Sequence, residues 1–321
     1  MHKAMYYEKE GDQVRCNLCP HECLVTKGKK GRCRVRKNVD GKLVTLVYSM
    51  PAAVNIDPIE KKPLYHFLPD SKTFSIGTLG CNLSCKNCQN FDISFGEPGD
   101  KNIQEIGPKK VVELALENNC TSISYTYNEP TIFFEYALDC AKLAKQKGLK
   151  NIIVTNGFIN PGPAKEWLKY IDGANVDLKA FDEKFYEKVC GASLQPILDT
   201  LKLYKKHLWL EITNLIIDGM NDDLGQIEKM CIWIRKNLGK NTPLHFSRAF
   251  PMFKMQDISP TPIDTLKKAK KMADKYLDYV YIGNTSMASD TYCKICKKTI
   301  ISRNKYDVKL DLCSHFVGVL D

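Results

Sequence analysis

Apolar and polar residues in the middle of the chain follow two alternating patterns. Short runs rich in β-branched and aromatic residues predict strands, and longer segments with apolar residues at helical spacing predict helices. The predicted strands cover residues 72–78, 121–127, 151–155, 174–180, 208–217, 244–249 and 279–282. The predicted helices cover residues 108–118, 131–147, 162–170, 182–190, 193–206, 223–238 and 261–276. This alternation predicts a parallel sheet whose strands are joined by crossover helices.

The pattern contains about six β/α repeats, too few for a closed eight-stranded barrel. It therefore predicts an α/β fold, a partial TIM-like (β/α)6 barrel over residues 71–285. Residues 1–70 are predicted to form a Cys-rich N-terminal module, and residues 286–321 a Cys- and His-containing tail. Functional residues in such a barrel lie at the carboxyl ends of the strands.

Composition narrows the class of protein. The chain has 321 residues, 44% of them hydrophobic and 26% charged, which is typical of a globular protein. Its longest apolar runs have strand length, and its N-terminus lacks the apolar stretch of a signal peptide, so we expect a cytoplasmic protein with no membrane contact. The net charge is +10, but the lysines are spread over the predicted helices, which favours a solvated surface over a nucleic-acid site.

Fourteen cysteines are the first strong chemical signal. In a reducing compartment, spaced cysteines are more often metal ligands or redox groups than disulfides. Ten of them fall into three groups, which are Cys16/Cys19/Cys23/Cys33, Cys81/Cys85/Cys88 and Cys293/Cys296/Cys313. The other four stand alone and are interpreted as small buried hydrophobes, namely Cys120, Cys140, Cys190 and Cys231.

The central group has the spacing C-x3-C-x2-C and directly follows a predicted strand. Three thiolates from one short loop can ligate three irons of a [4Fe–4S] cubane and leave the fourth iron open for a substrate or cofactor. A structural zinc site would need a fourth ligand, and the loop offers none. We therefore predict that Cys81, Cys85 and Cys88 hold a catalytic cluster.

This loop resembles that of the radical SAM superfamily. The resemblance implies that S-adenosylmethionine (SAM) binds the open iron through its amino and carboxylate groups. One electron then cleaves SAM to methionine and a 5′-deoxyadenosyl radical, while the protein positions the cofactor and excludes water. The residue before the last cysteine is usually aromatic in the family, and its backbone contacts adenine. Here that residue is Asn87.

Three further motifs occur at predicted strand ends in the order found in this family. Asn128 and Glu129 lie where the family holds the SAM amino group. They could instead serve only a strand-to-helix turn, but their position in the repeat favours the functional role. Thr155 and Asn156 belong to a Thr-Asn-Gly turn like the one that contacts the SAM ribose or carboxylate in glycyl-radical-activating enzymes.

The fourth strand ends in Asp177-Leu178-Lys179, which resembles the motif whose lysine faces the methionine carboxylate of SAM. Asp177 could instead simply neutralise Lys179. His245, placed at the end of the sixth predicted strand, matches a histidine of the activating enzymes, and a structural role is equally open.

Nearly the whole chain resembles the radical SAM proteins of the AmmeMemoRadiSam system, relatives of pyruvate formate-lyase activating enzyme. The matching stretches are CNLCPHEC (16–23), DPIEKKPLYHF (57–67), GCNLSCKNCQNFDIS (80–94), SYTYNEPTIFFEYA (124–137), DLKAFDEKFYEKVCGA (177–192) and HFSRAFPMFKM (245–255). The family is named for recurring beside two other protein families, which implies those proteins as partners.

The predicted function is therefore reductive cleavage of SAM, followed by hydrogen abstraction from a protein or small-molecule substrate, as in glycyl-radical activation. It requires a reductant such as ferredoxin or flavodoxin. The alternative is an iron–sulfur or zinc protein that transfers electrons or acts as a scaffold without cleaving SAM.

The two flanking groups are predicted metal sites. Cys16, Cys19, Cys23 and Cys33 form a complete ligand set for zinc or an auxiliary cluster, and their knuckle-like spacing in a Lys- and Arg-rich surface module favours a structural role. Cys293, Cys296 and Cys313 resemble three-quarters of a zinc ribbon. The expected fourth position is Phe316, so His315 is the nearest residue that could complete a Cys3His site.

Overall fold

The protein is described here by a computed structural model, which covers residues 1–99 and 103–320. Small parts of the predicted barrel (residues 100–102) and of the predicted tail (residue 321) lie outside the described residues. None of the helices in the described ranges has the length and apolar character that crossing a bilayer requires.

The N-terminal module contains two small antiparallel sheets. Its strands are β1 (His2–Lys3), β2 (Tyr7–Glu10), β3 (Gln13–Cys16), β4 (Leu24–Val25), β5 (Arg36–Val39) and β6 (Lys42–Thr45). One sheet has the order β1-β6-β5 and the other the order β2-β3-β4. A turn at Asp40 and Gly41, both with positive φ, joins β5 to β6 as a hairpin.

The central sheet has eight strands in chain order. They are β7 (Ala53–Pro58), β8 (Lys72–Gly77), β9 (Ser122–Tyr125), β10 (Lys150–Thr155), β11 (Gly173–Asp177), β12 (Trp209–Ile216), β13 (Leu244–Arg248) and β14 (Val280–Gly283). From β8 to β14 all pairs are parallel. The inner strands are buried on both faces, as in β9, where all four residues are buried. The predicted α/β class with a parallel sheet is confirmed.

Strand β7 was not predicted, and it changes the division of the chain. It pairs antiparallel with β8 at the edge of the central sheet, so part of the segment assigned to the N-terminal module belongs to this sheet. Its residues are largely half-buried or exposed, and Ile56 is 46% exposed. A half-exposed edge strand that ends in proline has a weak sequence pattern, which explains the difference.

Helices connect the parallel strands. They are α1 (Phe91–Ser94), α2 (Pro108–Glu117), α3 (Phe134–Gln146), α4 (Pro161–Trp167), α5 (Glu183–Phe185), α6 (Gln195–Lys205), α7 (Leu224–Leu238) and α8 (Ile263–Ala273). The helix predicted at 182–190 is divided: after α5 the chain forms a π-helical turn, Tyr186–Cys190, which ends at Gly191 with φ 67°. This turn faces the central cysteine loop, as described below.

The tail packs onto the barrel. Its strands β15 (Thr291–Tyr292), β16 (Thr299–Asn304) and β17 (Asp307–Leu310) form a three-stranded antiparallel sheet. The Arg303 guanidinium donates to the carbonyl of Tyr65 at 2.5 Å, and the ring of His66 is 2.6 Å from the carbonyl of Val317. Tyr65 and His66 precede Phe67, whose ring packs against Gly173 at the start of β11, so the tail lies at the amino ends of the barrel strands.

Candidate active site and flanking cysteine groups

A cleft of about 480 Å³ opens at the carboxyl ends of the parallel strands. It brings together ten of the residues that the sequence marked as candidates, which are Cys81, Cys85, Asn87, Cys88, Asn128, Glu129, Thr155, Asn156, Asp177 and Lys179. These residues come from the ends of β8, β9, β10 and β11 and the loops that follow them. Parallel strands place their carboxyl ends on one edge, which is why distant motifs converge here.

The cysteine loop is fixed where it leaves β8. The Asn128 side chain donates to the Gly80 carbonyl at 2.7 Å and accepts from the Thr78 amide at 3.1 Å. Gly80 has φ 90°, and a Cβ there would lie 2.6 Å from the carbonyl oxygen of Cys33, so only glycine fits. Asn128 therefore uses its amide to position the loop rather than leaving it free for a ligand.

The other end of the loop rests on the π-helical turn. Ser84 and Lys86 donate their amides to the carbonyls of Cys190 and Val189 at 2.8 and 3.0 Å. The Cys190 thiol hydrogen-bonds to the Cys85 sulfur and lowers the pKa of Cys85 to about 7. Cys190 was interpreted as a buried hydrophobe from sequence, since nothing in a lone cysteine shows that it will lie against a ligand thiol.

The Thr-Asn-Gly turn is tied to the same loop. The Asn156 side chain donates to the Asn82 side-chain oxygen at 2.8 Å, and Asn82 in turn donates to the Phe158 carbonyl at 2.8 Å. Asn156 also approaches the Cys81 sulfur at 3.9 Å. These contacts hold Cys81, the first cysteine of the loop, against the end of β10.

Glu129 is buried at the centre of this network. One carboxylate oxygen accepts from the Thr155 hydroxyl at 2.7 Å and from the amide and hydroxyl of Thr131 at 3.0 and 2.6 Å. The other accepts from the Asn156 amide at 2.7 Å, which leaves it a lone pair toward the cleft. Burial raises the pKa of Glu129 despite these hydrogen bonds.

Lys179 is the cation beside the cysteine loop. Its ammonium donates to Asp177 at 2.9 Å, and the side chain is 22% exposed. Burial disfavours the charge, but the Asp177 carboxylate and the Cys85 sulfur hold the pKa of Lys179 well above its usual value. A permanent positive charge therefore faces the cleft close to Cys85.

One buried lysine in the cleft wall, Lys62, was not predicted from the sequence. Lys62 is buried, donates to Asp57 at 2.6 Å and lies 4.4 Å above the ring centre of Tyr127. Burial lowers the pKa of Lys62 to about 8, whereas hydrogen bonds from Lys61, Lys62 and Tyr127 outweigh burial and hold the pKa of Asp57 far below its usual range. Lys62 lies in the DPIEKKPLYHF stretch, and only its unusual burial distinguishes it from other lysines.

His245 is not part of this cleft. It is the second residue of β13 rather than its last, and its ring nitrogen lies 2.7 Å from the Glu211 carboxylate. Glu211 also accepts the amides of Tyr65 and His66, so His245 belongs to a buried network beneath the cleft. The limits of this strand were predicted to within one residue, but the placement of His245 at its end was wrong, because His245 lies near the start of the strand.

The four N-terminal cysteines converge on one small cavity. It is lined by the four cysteines, by apolar residues and by five polar or charged residues, which are His21, Arg32, Arg36, Asn82 and Thr131. Cys16 and Cys33 are each only 8% exposed, whereas Cys19 and Cys23 are half-buried. The structural role in a surface module stays a prediction. We call this site the four-thiol cavity.

The ligand atoms of the C-terminal cysteines and His315 lie closer together than those of the four-thiol cavity. The ligand atoms of Cys293, Cys296, Cys313 and His315 all lie within 4.8 Å of one another, and the sulfurs of Cys296 and Cys313 are 3.7 Å apart. Backbone amides donate to the Cys293 sulfur and lower its pKa to about 6. His315, rather than Phe316, thus lies at the fourth position. We call this group the tail site.

Comparisons with known proteins complete the assignment. A family model described as the radical SAM superfamily matches residues 75–231. The uncharacterized protein MJ0808 of Methanocaldococcus jannaschii is 42% identical over 97% of this chain and 94% of its own length. The pyruvate formate-lyase-activating enzyme of Clostridium pasteurianum is 24% identical over 62% of this chain and 89% of that enzyme.

A solved structure shows the same fold. Streptococcus suis SuiB bound to its precursor peptide SuiA aligns with a TM-score of 0.52 at 16% identity, over 71% of this chain and 51% of SuiB. The three cluster cysteines, which face a cleft at the strand ends, suit the iron–sulfur cluster of such proteins. The narrower AmmeMemoRadiSam assignment stays a prediction. Taken with the fold and the family match, these findings establish that the chain belongs to the radical SAM superfamily.

Proposed function

We propose that this radical SAM enzyme binds a [4Fe–4S] cluster at Cys81, Cys85 and Cys88, binds SAM in the cleft beside it, and abstracts hydrogen from a partner protein or small molecule. When bound, the cluster supplies the electron that splits SAM into methionine and a 5′-deoxyadenosyl radical. The observation that carries the proposal is the position of the three-thiol loop, which faces the same cleft as the Lys179 ammonium.

The cleft residues divide into two roles. Lys179 and Glu129 have free capacity toward the cleft and would bind the carboxylate and the amino group of SAM. The side chains of three other cleft residues form hydrogen bonds within the protein, namely those of Asn128, Thr155 and Asn156. These residues would therefore position the loop and Glu129 instead of contacting SAM. The backbone of Asn87, in the cleft lining, would contact adenine.

The relatives favour a protein as the target of hydrogen abstraction. The Clostridium pasteurianum relative is a pyruvate formate-lyase-activating enzyme and aligns over 89% of its length. An activating role on a partner protein, which could come from the two families named with AmmeMemoRadiSam, is therefore our preferred reading over a small molecule. In the described structure none of the fourteen cysteines forms a disulfide, which supports a cytoplasmic, reducing setting.

The electron must come from a one-electron donor such as ferredoxin or flavodoxin. A groove of about 630 Å³ adjoins the exit of the cysteine loop and is lined by apolar and polar side chains, by three lysines (Lys86, Lys184 and Lys188) and by two aspartates (Asp182 and Asp223). The excess of positive charge suits an acidic donor protein, and its contribution would weaken as salt is added.

The deciding experiment is anaerobic reconstitution, reduction with dithionite and addition of SAM, with 5′-deoxyadenosine measured by chromatography. We expect the product from the wild type and none from Cys81→Ala/Cys85→Ala/Cys88→Ala. The scaffold alternative would hold if the wild type, with its cluster intact, made no product and SAM left the EPR signal of the cluster unchanged.

Lys179→Met tests the binding mode. We expect the KM for SAM to rise about 10- to 100-fold, since a hydrogen bond to a charged group contributes roughly 1.5–3 kcal/mol. Lys184→Met, which changes an exposed lysine of the nearby groove, is the matched control and should leave KM unchanged. Equal KM values for the two variants would contradict the role given to Lys179.

A further inference from the structure

The three cysteine groups differ in how far apart their ligand atoms lie. Among the residues the structure describes, only the tail site brings three or more possible ligand atoms within 4.8 Å of one another. Around one tetrahedral zinc, sulfurs at 2.3 Å from the metal must lie about 3.8 Å apart. The tail site has this spacing, with 3.7 Å between Cys296 and Cys313.

The four-thiol cavity has the wider spacing instead. Its cysteines surround one cavity, yet no three of their sulfurs come as close as those of the tail site. The same is true of Cys81, Cys85 and Cys88. A cubane is bound through separate irons, so its thiolates are held further apart than the ligands of a single ion. Neither the four-thiol cavity nor the loop that carries Cys81, Cys85 and Cys88, which we call the SAM-cluster loop, therefore has the close ligand spacing of the tail site.

A buried arginine points to an anionic occupant of this cavity. Arg36 lines it, and its side chain is only 2% exposed. One terminal nitrogen donates to Glu135 at 2.8 Å and to the Met5 carbonyl, but Nε and Nη1 are buried without a hydrogen-bond partner in the described structure. Buried guanidinium donors need acceptors, and an iron–sulfur cluster with four thiolates offers negatively charged sulfurs.

The cavity also adjoins the SAM-cluster loop. The carbonyl of Cys33 abuts Gly80, the residue before Cys81, and the His21 ring lies 2.7 Å from the carbonyl of Asn82, the residue after it. Asn82 itself lines the cavity. One residue on each side of Cys81 is therefore in contact with the N-terminal module, a position suited to a redox group.

We propose that Cys16, Cys19, Cys23 and Cys33 bind a second [4Fe–4S] cluster, while Cys293, Cys296, Cys313 and His315 bind zinc. The second cluster has four cysteine ligands and so no open iron for SAM. This assignment concerns the N-terminal module and does not depend on which substrate the enzyme uses.

Iron, acid-labile sulfide and zinc analysis of the full-length protein after anaerobic reconstitution tests this proposal. We expect about eight irons and eight sulfides in the wild type, and about four of each in Cys81→Ala/Cys85→Ala/Cys88→Ala, with one zinc in both. Reduction of that triple variant should produce the EPR signal of a [4Fe–4S]+ cluster that SAM does not perturb. Cys16→Ala/Cys19→Ala should also lose about half the iron, whereas Cys120→Ala, a buried thiol outside all three groups, should lose none.

Two zincs with about four irons in the wild type, and no sulfide in the triple variant, would overturn the assignment. If the triple variant does not fold, the metal and sulfide content of the wild type alone still decides whether the four-thiol cavity binds a [4Fe–4S] cluster or zinc. The metal analysis uses no SAM, so a failure here is distinct from a failure to produce 5′-deoxyadenosine, which would count against the proposed function.

Discussion

The four-thiol cavity and the tail site both begin with C-x2-C and consist mainly of cysteines, yet their surroundings in the fold differ. The first is buried between the N-terminal module and the SAM-cluster loop. The second lies at the opposite, amino-terminal end of the barrel, where Cys296 is exposed. Cysteine spacing thus predicts that a metal binds, while the surroundings indicate which metal and what it does.

The four-thiol cavity and the tail site also differ in the charged and polar groups that surround them. Arg36 lines the four-thiol cavity and has two buried guanidinium nitrogens without a hydrogen-bond partner in the described structure. Backbone amides donate to sulfurs in both sites, at Cys293 in the tail site and at three of the cavity's cysteines, which are Cys16, Cys19 and Cys33. A buried arginine requires a partner of opposite charge, whereas backbone amides come with the turn itself, so the cavity has the more specialised environment.

The largest expected difference between the two sites is in catalysis. Cys16→Ala/Cys19→Ala should abolish 5′-deoxyadenosine formation, because the module that backs Cys81 loses its metal. Cys296→Ala/Cys313→Ala should keep it within about twofold, since the tail contacts the other end of the barrel. Chromatography of anaerobic reactions measures the 5′-deoxyadenosine formed by each variant. Equal losses in the two variants would contradict the different roles given to the two sites.

Next in size is the effect of Arg36 on stability. Arg36→Met should destabilise the fold by about 3–5 kcal/mol, because it leaves the buried Glu135 carboxylate unpaired. Arg36→Met/Glu135→Leu should recover most of this loss but bind less iron than the wild type, because the cavity still lacks its cation. Urea unfolding and iron analysis report the two effects, and full iron retention in the double variant would show that Arg36 serves Glu135 alone.

A smaller effect concerns pH and the attachment of the tail. Burial lowers the pKa of His66 to about 4. Between about pH 6.5 and pH 4, His66 is therefore protonated in the unfolded chain but neutral in the native state. Stability should therefore fall as the pH drops from 6.5 to 4, by about 2 kcal/mol between pH 7 and pH 5.

Urea midpoints measured at those two pH values provide the check. His66→Gln, which can still bond to the Val317 carbonyl and to Tyr281, should lose most of this pH dependence. His207→Gln, at an exposed histidine, should keep it. A wild-type slope that survives in His66→Gln would assign the pH dependence to other groups.

The smallest expected effect is at the SAM-cluster loop. Cys190→Ala removes the hydrogen bond to the Cys85 sulfur and should lower the reduction potential of this cluster by roughly a few tens of millivolts, since one hydrogen bond contributes about 1 kcal/mol. Redox titration followed by EPR measures the shift. Cys231→Ala, another buried thiol, should leave the potential unchanged, and a similar shift there would point to a general packing effect.

Much of the fold was predictable from the sequence. The seven parallel strands follow apolar runs that are buried on both faces, and such runs keep their signal whatever packs on them. Strand β7 was missed because its residues are half-exposed and its identity depends on pairing with β8. For the same reason the chain division at residue 70 falls after residues that belong to the central sheet.

The candidate site shows the same limit. Its strand-end motifs were predicted to converge, and ten candidates do line one cleft. Their individual roles were not predictable, because each role depends on the hydrogen bonds that the side chain makes in the fold. The Asn128 amide bonds to the cysteine loop, whereas the Lys179 ammonium bonds to Asp177 and still faces the cleft. Lys62 and Cys190 gave no sequence signal, since only burial and a neighbour distinguish them from ordinary lysines and cysteines.

By itself, the sequence determined the α/β class, the three-cysteine loop and the presence of two further metal-ligand sets, because hydrophobic periodicity and ligand spacing are local properties of the chain. Only the tertiary structure decided that His245 pairs with Glu211, that His315 completes the tail site, and that the four N-terminal thiols spread around a cavity against the SAM-cluster loop. These are distances between residues far apart in sequence, and packing alone fixes such distances.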